Sequence, residues 1–159
     1  MPAGSETGGA GGPVLPRLPK TWRPFGVRAM GTVLIVALYG LSIFTWFAFD
    51  AETRAKFTFF QKSTLGFFGL LILVLVHALT RSRVEARQEG LVVVNGYRRR
   101  DLAWEQVIAV HLPPGAPWVT LDLADGTSVP AMGIQSSDGG RAKAAARELR
   151  ALVGTPPQG

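Results

Sequence analysis

Two long apolar runs dominate the pattern of this chain. Ala29–Phe49 carries no charged residue, and Ser63–Thr80 carries none apart from the titratable His77. As helices these runs would rise about 31 and 27 Å, close to the ~30 Å apolar core of a bilayer. A helix apolar on every side has to be surrounded by something apolar. The pattern therefore predicts a transmembrane hairpin over residues 22–80, with spans at 29–49 and 63–80. The connection Asp50–Lys62 is polar, but Phe57, Phe59 and Phe60 within it, with Trp46 before it, suit an outer headgroup layer.

After Arg81 the period changes from helical to alternating. Val84, Ala86 and Gln88 alternate with Glu85 and Arg87, and Glu89-Gly90 turns the chain. Leu91–Asn95 reads as a strand, Asn95-Gly96 as a two-residue hairpin turn, and Tyr97–Leu102 as the return strand. Val107–Leu112 follows, with Ile108, Val110 and Leu112 on one face, and Pro113-Pro114-Gly115 breaks it. Trp118–Leu123 puts Val119, Leu121 and Leu123 on one face. The Asp125-Gly126 turn leads into Ser128–Met132, where Pro130 suits an edge strand. A helix closes the pattern: Ser137 or Asp138 caps it, Ala142, Ala145, Leu149 and Leu152 form its apolar stripe, and Gly154 stops it. The predicted fold is a membrane α-hairpin of two helices followed by a small α+β roll, residues 81–153, of six to seven antiparallel strands and a C-terminal helix. Residues 1–21, rich in Gly and Pro, and residues 154–159 are expected to be disordered tails.

Charge adds an orientation. The net +6 is concentrated beside the spans, at Arg17, Lys20, Arg23, Arg28, Arg81 and Arg83, while residues 84–159 are balanced. These flanks together hold more cations than the connection, which has Arg54, Lys56 and Lys62, so both termini are expected in the cytoplasm. A nucleic-acid binder would concentrate its charge on the folded domain instead. Trp22 and Phe25 with Arg23 and Arg28 read as an interfacial collar, and the long leader and poor Ala48-Phe49-Asp50 site argue against cleavage as a signal sequence. Cysteine is absent, which excludes disulfides, thiol nucleophiles and thiolate metal sites.

Within the spans, Gly66 and Gly69 notch one face of the second helix, and Ala37 and Gly40 offer the same spacing on the first. Close pairing of the two helices is the expected use, with a homodimer contact as the alternative. His77 has no second ionisable group in either span to relay a proton to, so it reads as an interfacial histidine reaching toward water.

The collar Thr21-Trp22-Arg23-Pro24, the two spans, the run Glu89–Tyr97, Trp104-Glu105-Gln106-Val107, the Asp125-Gly126 hairpin and the closing Arg/Ala/Leu helix together resemble a bacterial pleckstrin-homology (PH) protein. The resemblance is narrower toward the actinobacterial membrane proteins grouped with low molecular weight protein antigen 6, and runs from about Thr21 to Val153. It implies a roll of seven strands and a C-terminal helix. Because eukaryotic PH domains hold phosphoinositide phosphates with a basic pattern ending Lys/Arg-x-Arg, it also makes Arg98, Arg99 and Arg100 candidate headgroup or partner contacts. On a strand Arg98 and Arg100 share a face and Arg99 takes the other. Lys143, Arg147 and Arg150 on the helix are the rival basic face. Trp104 reads as core packing.

Catalytic chemistry finds little footing. His111 has no nucleophile beside it in sequence, and Asp122-Leu-Ala-Asp125-Gly126 lacks the further ligands of a calcium loop. No cofactor, metal, nucleic acid or small-molecule substrate is expected. The partners expected are membrane lipids and either a protein or a second copy. Two functions remain. One is a non-enzymatic, membrane-anchored PH-like binding or scaffold protein at the plasma membrane. The alternative is an accessory subunit of a larger integral transport or enzyme complex.

Overall fold

The computed structural model describes residues 16–156; the parts of the expected tails at 1–15 and 157–159 lie outside the described residues. Strand β1 (Lys20–Trp22) comes first, followed by helices α1 (Phe25–Ala48), α2 (Ala51–Lys56) and α3 (Phe59–Arg81). Six strands follow: β2 (Arg83–Ala86), β3 (Gly90–Asn95), β4 (Arg98–Ala103), β5 (Val107–His111), β6 (Trp118–Leu123) and β7 (Ser128–Gln135). Helix α4 (Gly140–Gly154) closes the chain. The strands form two antiparallel sheets, ordered β1-β2-β3-β4 and β5-β6-β7. Two long apolar helices followed by an antiparallel roll and a terminal helix are the fold that the sequence pattern predicts.

The seventh strand lies where the sequence put the end of a disordered tail. Lys20, Thr21 and Trp22 pair with Ala86, Glu85 and Val84 of β2. The reason is physical: the edge of β2 offers unpaired backbone groups, and the indole of Trp22 gains burial by facing the roll. Trp22 is 8% exposed and packs in the domain core, so it is not an interfacial collar residue. The roll is therefore discontinuous in sequence, with the whole helical hairpin inserted between β1 and β2.

The core lies between the sheets and under α4. Val84, Val119, Leu121, Leu149 and Leu152 are fully buried there. Two close approaches shut the roll across β2, β3 and β7. A Cβ on Gly133 would stand 2.5 Å from the backbone of Arg83 and Val84, so only glycine allows that crossing. Asn95 then bridges the corner, its Nδ2 donating to the Pro130 carbonyl at 2.6 Å and its Oδ1 accepting from the Met132 amide at 3.0 Å. Pro130 sits on an edge strand, as its missing N–H requires.

Two local readings are corrected. A bulge between Val107 and Ala109 turns Ile108 outward, 63% exposed, and puts Val107 and Val110 in the core. Neither Ser137 nor Asp138 caps α4, which starts after Gly139 at φ 58° without a side-chain cap. Asp138 serves another helix, described below.

Helices α1 and α3 are each long and apolar enough to cross a membrane, and neither buries a residue in the folded domain. Their close contact is not at the Gly66 notch. A Cβ on Gly31 would lie 2.8 Å from Val76 Cγ1, whereas Gly40 and Gly66 have no neighbour in reach. Gly69 faces the Tyr39 hydroxyl, beside a groove of about 380 Å³ lined by Leu38, Ser42, Leu65 and Gly66. Of the glycine pair, Gly69 thus meets α1 at Tyr39, and Gly66 faces open space. Between the two long helices, Asp50 caps α2 and a Thr58–Gln61 capping box starts α3.

Candidate functional site at the junction of hairpin and roll

The hairpin and the roll are joined at both flanks. On the entry side, the Asp138 carboxylate accepts the Phe25 amide at 2.9 Å and the Gly26 amide at 2.7 Å, closing the first turn of α1 from 112 residues away. Pro24 at the cap position has no side-chain acceptor to offer, so the acceptor comes from the β7–α4 loop. The Arg141 guanidinium lies 4.6 Å over the Phe25 ring. Trp22 Nε1 donates to Glu148 on α4 at 3.0 Å, and Lys20 pairs with the same carboxylate at 3.5 Å.

On the exit side, Ser82 is 1% exposed and its Oγ accepts the Gly96 amide at 3.0 Å. Gly96 turns at φ 60° beside Ala78, a backbone conformation that favours glycine. Tyr97 then lies along α3. Its hydroxyl is 2.9 Å from His77 Nδ1 and 3.5 Å from the Val74 carbonyl, and Arg81 stands over its ring at 5.9 Å. His77 thus engages the β3–β4 turn, which is the structural difference from the solvent-directed histidine read from sequence.

A cavity of about 340 Å³ opens beside this turn. Ala78 and Leu79 of α3, Arg98 and Arg100 of β4, and Pro130 and Met132 of β7 line it. Arg98 and Arg100 pair across the ladder with Asn95 and Val93, so both lie on the inward side of the sheet at its open end. Among the described residues, neither forms an ion pair. Arg99 is separated from them on the outer face, where Asp101 holds it through Nη2–Oδ1 at 2.7 Å and Nε–Oδ2 at 3.0 Å. That hydrogen bond keeps the Asp101 carboxyl below, and the Arg99 guanidinium above, their ordinary values. Of the three arginines, two therefore line the cavity and one is held by Asp101. Ser82 and Asn95 also line the cavity, with side chains already engaged by the backbone. What the cavity offers a ligand is two guanidiniums above an apolar floor of Val93 and Val129.

The rival basic face is not brought to this cavity. Lys143 and Arg147 are exposed on α4, and Arg150 Nε donates to the Val110 carbonyl at 2.8 Å, tying α4 to β5. Trp104 is 3% exposed, with its Nε1 shared between the Arg87 and Gln88 carbonyls, in keeping with core packing. His111 has an orienting carboxylate: Nε2 is 2.8 Å from Asp122 Oδ2, while Ser128 Oγ donates to Oδ1 of the same aspartate. The serine is bonded to the aspartate and not to the histidine, so this is no nucleophile–base relay. Asp125 accepts both the amide and the hydroxyl of Thr127, the hydrogen bonds that lower its pKa, and forms a tight turn. Among the described residues no cluster of His, Asp and Glu is placed to hold a metal ion.

Fold and junction define a class: a PH-like roll with a helical hairpin set into it. Residues 81–152 match the family model described as Bacterial PH domain. The chain is similar to the uncharacterized protein Rv1417 of Mycobacterium tuberculosis, 37% identical over 93 residues, or 58% of this chain and 60% of that protein. The uncharacterized protein Mb1452 of Mycobacterium bovis gives the same figures. The chain thus spans about 60% of the length of these curated relatives. No solved structure gives a significant match.

Proposed function

We propose that this chain is a non-enzymatic, membrane-anchored PH-like binding protein. Its roll is held at the cytoplasmic face of the plasma membrane, with both termini on that side, and Arg98 and Arg100 contact anionic lipid headgroups. The observation that carries this reading is the cavity where two unpaired guanidiniums meet the end of a helix long enough to span a bilayer. Strand β1 pairs with β2 across the hairpin, which requires both flanks on one side of any membrane crossed. The flanking cations favour the cytoplasmic side. The narrower kinship with the antigen 6 group is part of the same proposal.

Each cation near an anionic surface contributes about 1 kcal/mol, so losing both weakens headgroup retention by about 30-fold at low salt. The test uses the full chain in nanodiscs with a minor fraction of phosphatidylglycerol, and measures the anionic lipid that stays bound. Arg98→Gln/Arg100→Gln is expected to lose that enrichment, and Lys143→Gln/Arg147→Gln to keep it. Unchanged enrichment in a folded Arg98/Arg100 variant overturns the assignment. The open groove at Tyr39, Gly66 and Gly69 supports the second reading, an accessory subunit docked on an integral partner. A stoichiometric membrane partner on purification at natural expression level favours that reading.

A further inference from the structure

We infer that the β3–β4 turn, with Tyr97 at its tip, is itself a membrane-embedded element. It enters the headgroup layer beside α3 and fixes the tilt of the roll on the bilayer. The inference rests on the reading that α1 and α3 span a membrane, and goes beyond it by assigning a third lipid contact from the β-domain.

Two helices set the membrane boundary independently. On α3, the interval from Lys62 to Arg81 rises about 28 Å, close to the ~30 Å apolar thickness, so Arg81 marks the inner edge. On α1, Arg28 is the last cation before the apolar run. Gly31, one turn further in, packs against Val76 and Thr80 of α3, so the two helices place the edge at the same level.

Tyr97 reaches past that edge. Its hydroxyl is bonded to His77, one turn and about 6 Å inside Arg81, and lies within 3.5 Å of the carbonyl of Val74, about 10 Å inside. Tyr97 is 59% exposed although its hydroxyl rests on α3. A tyrosine suits this depth, because its ring is apolar and its hydroxyl keeps a polar partner. The turn cannot swing away freely. The Gly96 amide is held by buried Ser82, and Asn95 is bonded to two backbone groups of β7. Arg98, next along the strand, is consequently presented at headgroup height. The lipid reaching its cavity would belong to the same bilayer that the hairpin crosses.

The chain contains no cysteine, so single-cysteine variants of the full protein can carry nitroxide labels directly. Labels are placed at Tyr97→Cys, Arg98→Cys, Gln88→Cys and Leu71→Cys in liposomes of phosphatidylcholine and phosphatidylglycerol. Collision rates with membrane-soluble oxygen and a water-soluble nickel chelate report depth. The label at 97 is expected to show a severalfold higher oxygen-to-nickel ratio than the label at 88, on the far turn of the roll. Arg98→Cys leaves the Tyr97–His77 bond in place and is expected between the two. Nickel-dominated collisions at both 97 and 98, equal to those at 88, overturn the inference while an oxygen-dominated label at 71 leaves the spanning reading intact. A nickel-accessible label at 71 overturns both.

Discussion

At the scale of single residues, the ion pairs on the outer face of the first sheet show how charge and burial are combined. Val92 and Val94 are only 5% and 4% exposed although they point away from the core. Their cross-strand neighbours are Glu85, Asp101, Arg83 and Arg99, whose side chains pair over them. Glu85 is central: Arg87 reaches its Oε1 at 2.7 Å and Arg83 its Oε2 at 3.6 Å. The Arg87 hydrogen bond holds the Glu85 carboxyl below its ordinary value. A carboxylate with a lowered folded-state pKa stabilises the fold fully above the unfolded value of about 4.3, and that contribution disappears as pH falls through the folded value. Glu85→Gln is therefore expected to lower the unfolding midpoint near neutral pH, with the difference from the parent chain closing in acid. Thermal melts from pH 7 down to pH 3 measure it; a difference that does not change with pH counts against this role.

Among the elements, the helical hairpin shows why a small-residue motif does not by itself locate a contact. Gly31, at the domain end, carries the close approach, while Gly66 faces the open groove beside Tyr39. Overpacking a tight contact costs about 1–3 kcal/mol, and filling open space costs little. Gly31→Leu is thus expected to destabilise the detergent-solubilised chain measurably, and Gly66→Leu to leave its melting unchanged. The reverse order would place the seam at Gly66. Should Gly66→Leu instead leave melting unchanged but abolish co-purification of an integral partner, the groove is that partner's surface.

For the whole molecule, the consequential feature is that the roll is completed by a strand on the far side of the hairpin. A fragment of residues 82–156 lacks β1, and with it the buried ring of Trp22 and its bond to Glu148. Removing a buried aromatic side chain costs roughly 3–5 kcal/mol, comparable with the total stability of a small domain. That fragment is expected to give a collapsed amide spectrum. The same fragment joined to residues 16–24 by a flexible linker in place of the hairpin is expected to give a dispersed one. Equal dispersion and equal melting would show that β1 is dispensable. The discontinuity also gives α1 and α3 a fixed relation to the roll, through Asp138 on α1 and Ser82 and Tyr97 beside α3.

The sequence by itself determined the two apolar helices, the strands from β2 to β7 and the amphipathic closing helix. Each of these is written in a local period, 3.6 or 2, that the backbone imposes on neighbouring side chains. It also separated Arg98 and Arg100 from Arg99, because alternation along a strand is local too. The tertiary structure decided everything that joins residues far apart: β1 on β2, Asp138 on the first turn of α1, Tyr97 on His77, and Asp122 beside His111. These contacts depend on where the chain returns in space. Asp138 reads as a cap for the helix that follows it, and becomes the cap of another only because the roll brings two free amides of α1 to its carboxylate. Trp22 likewise has the composition of a membrane collar, and only the exposed edge of β2 beside it makes it core.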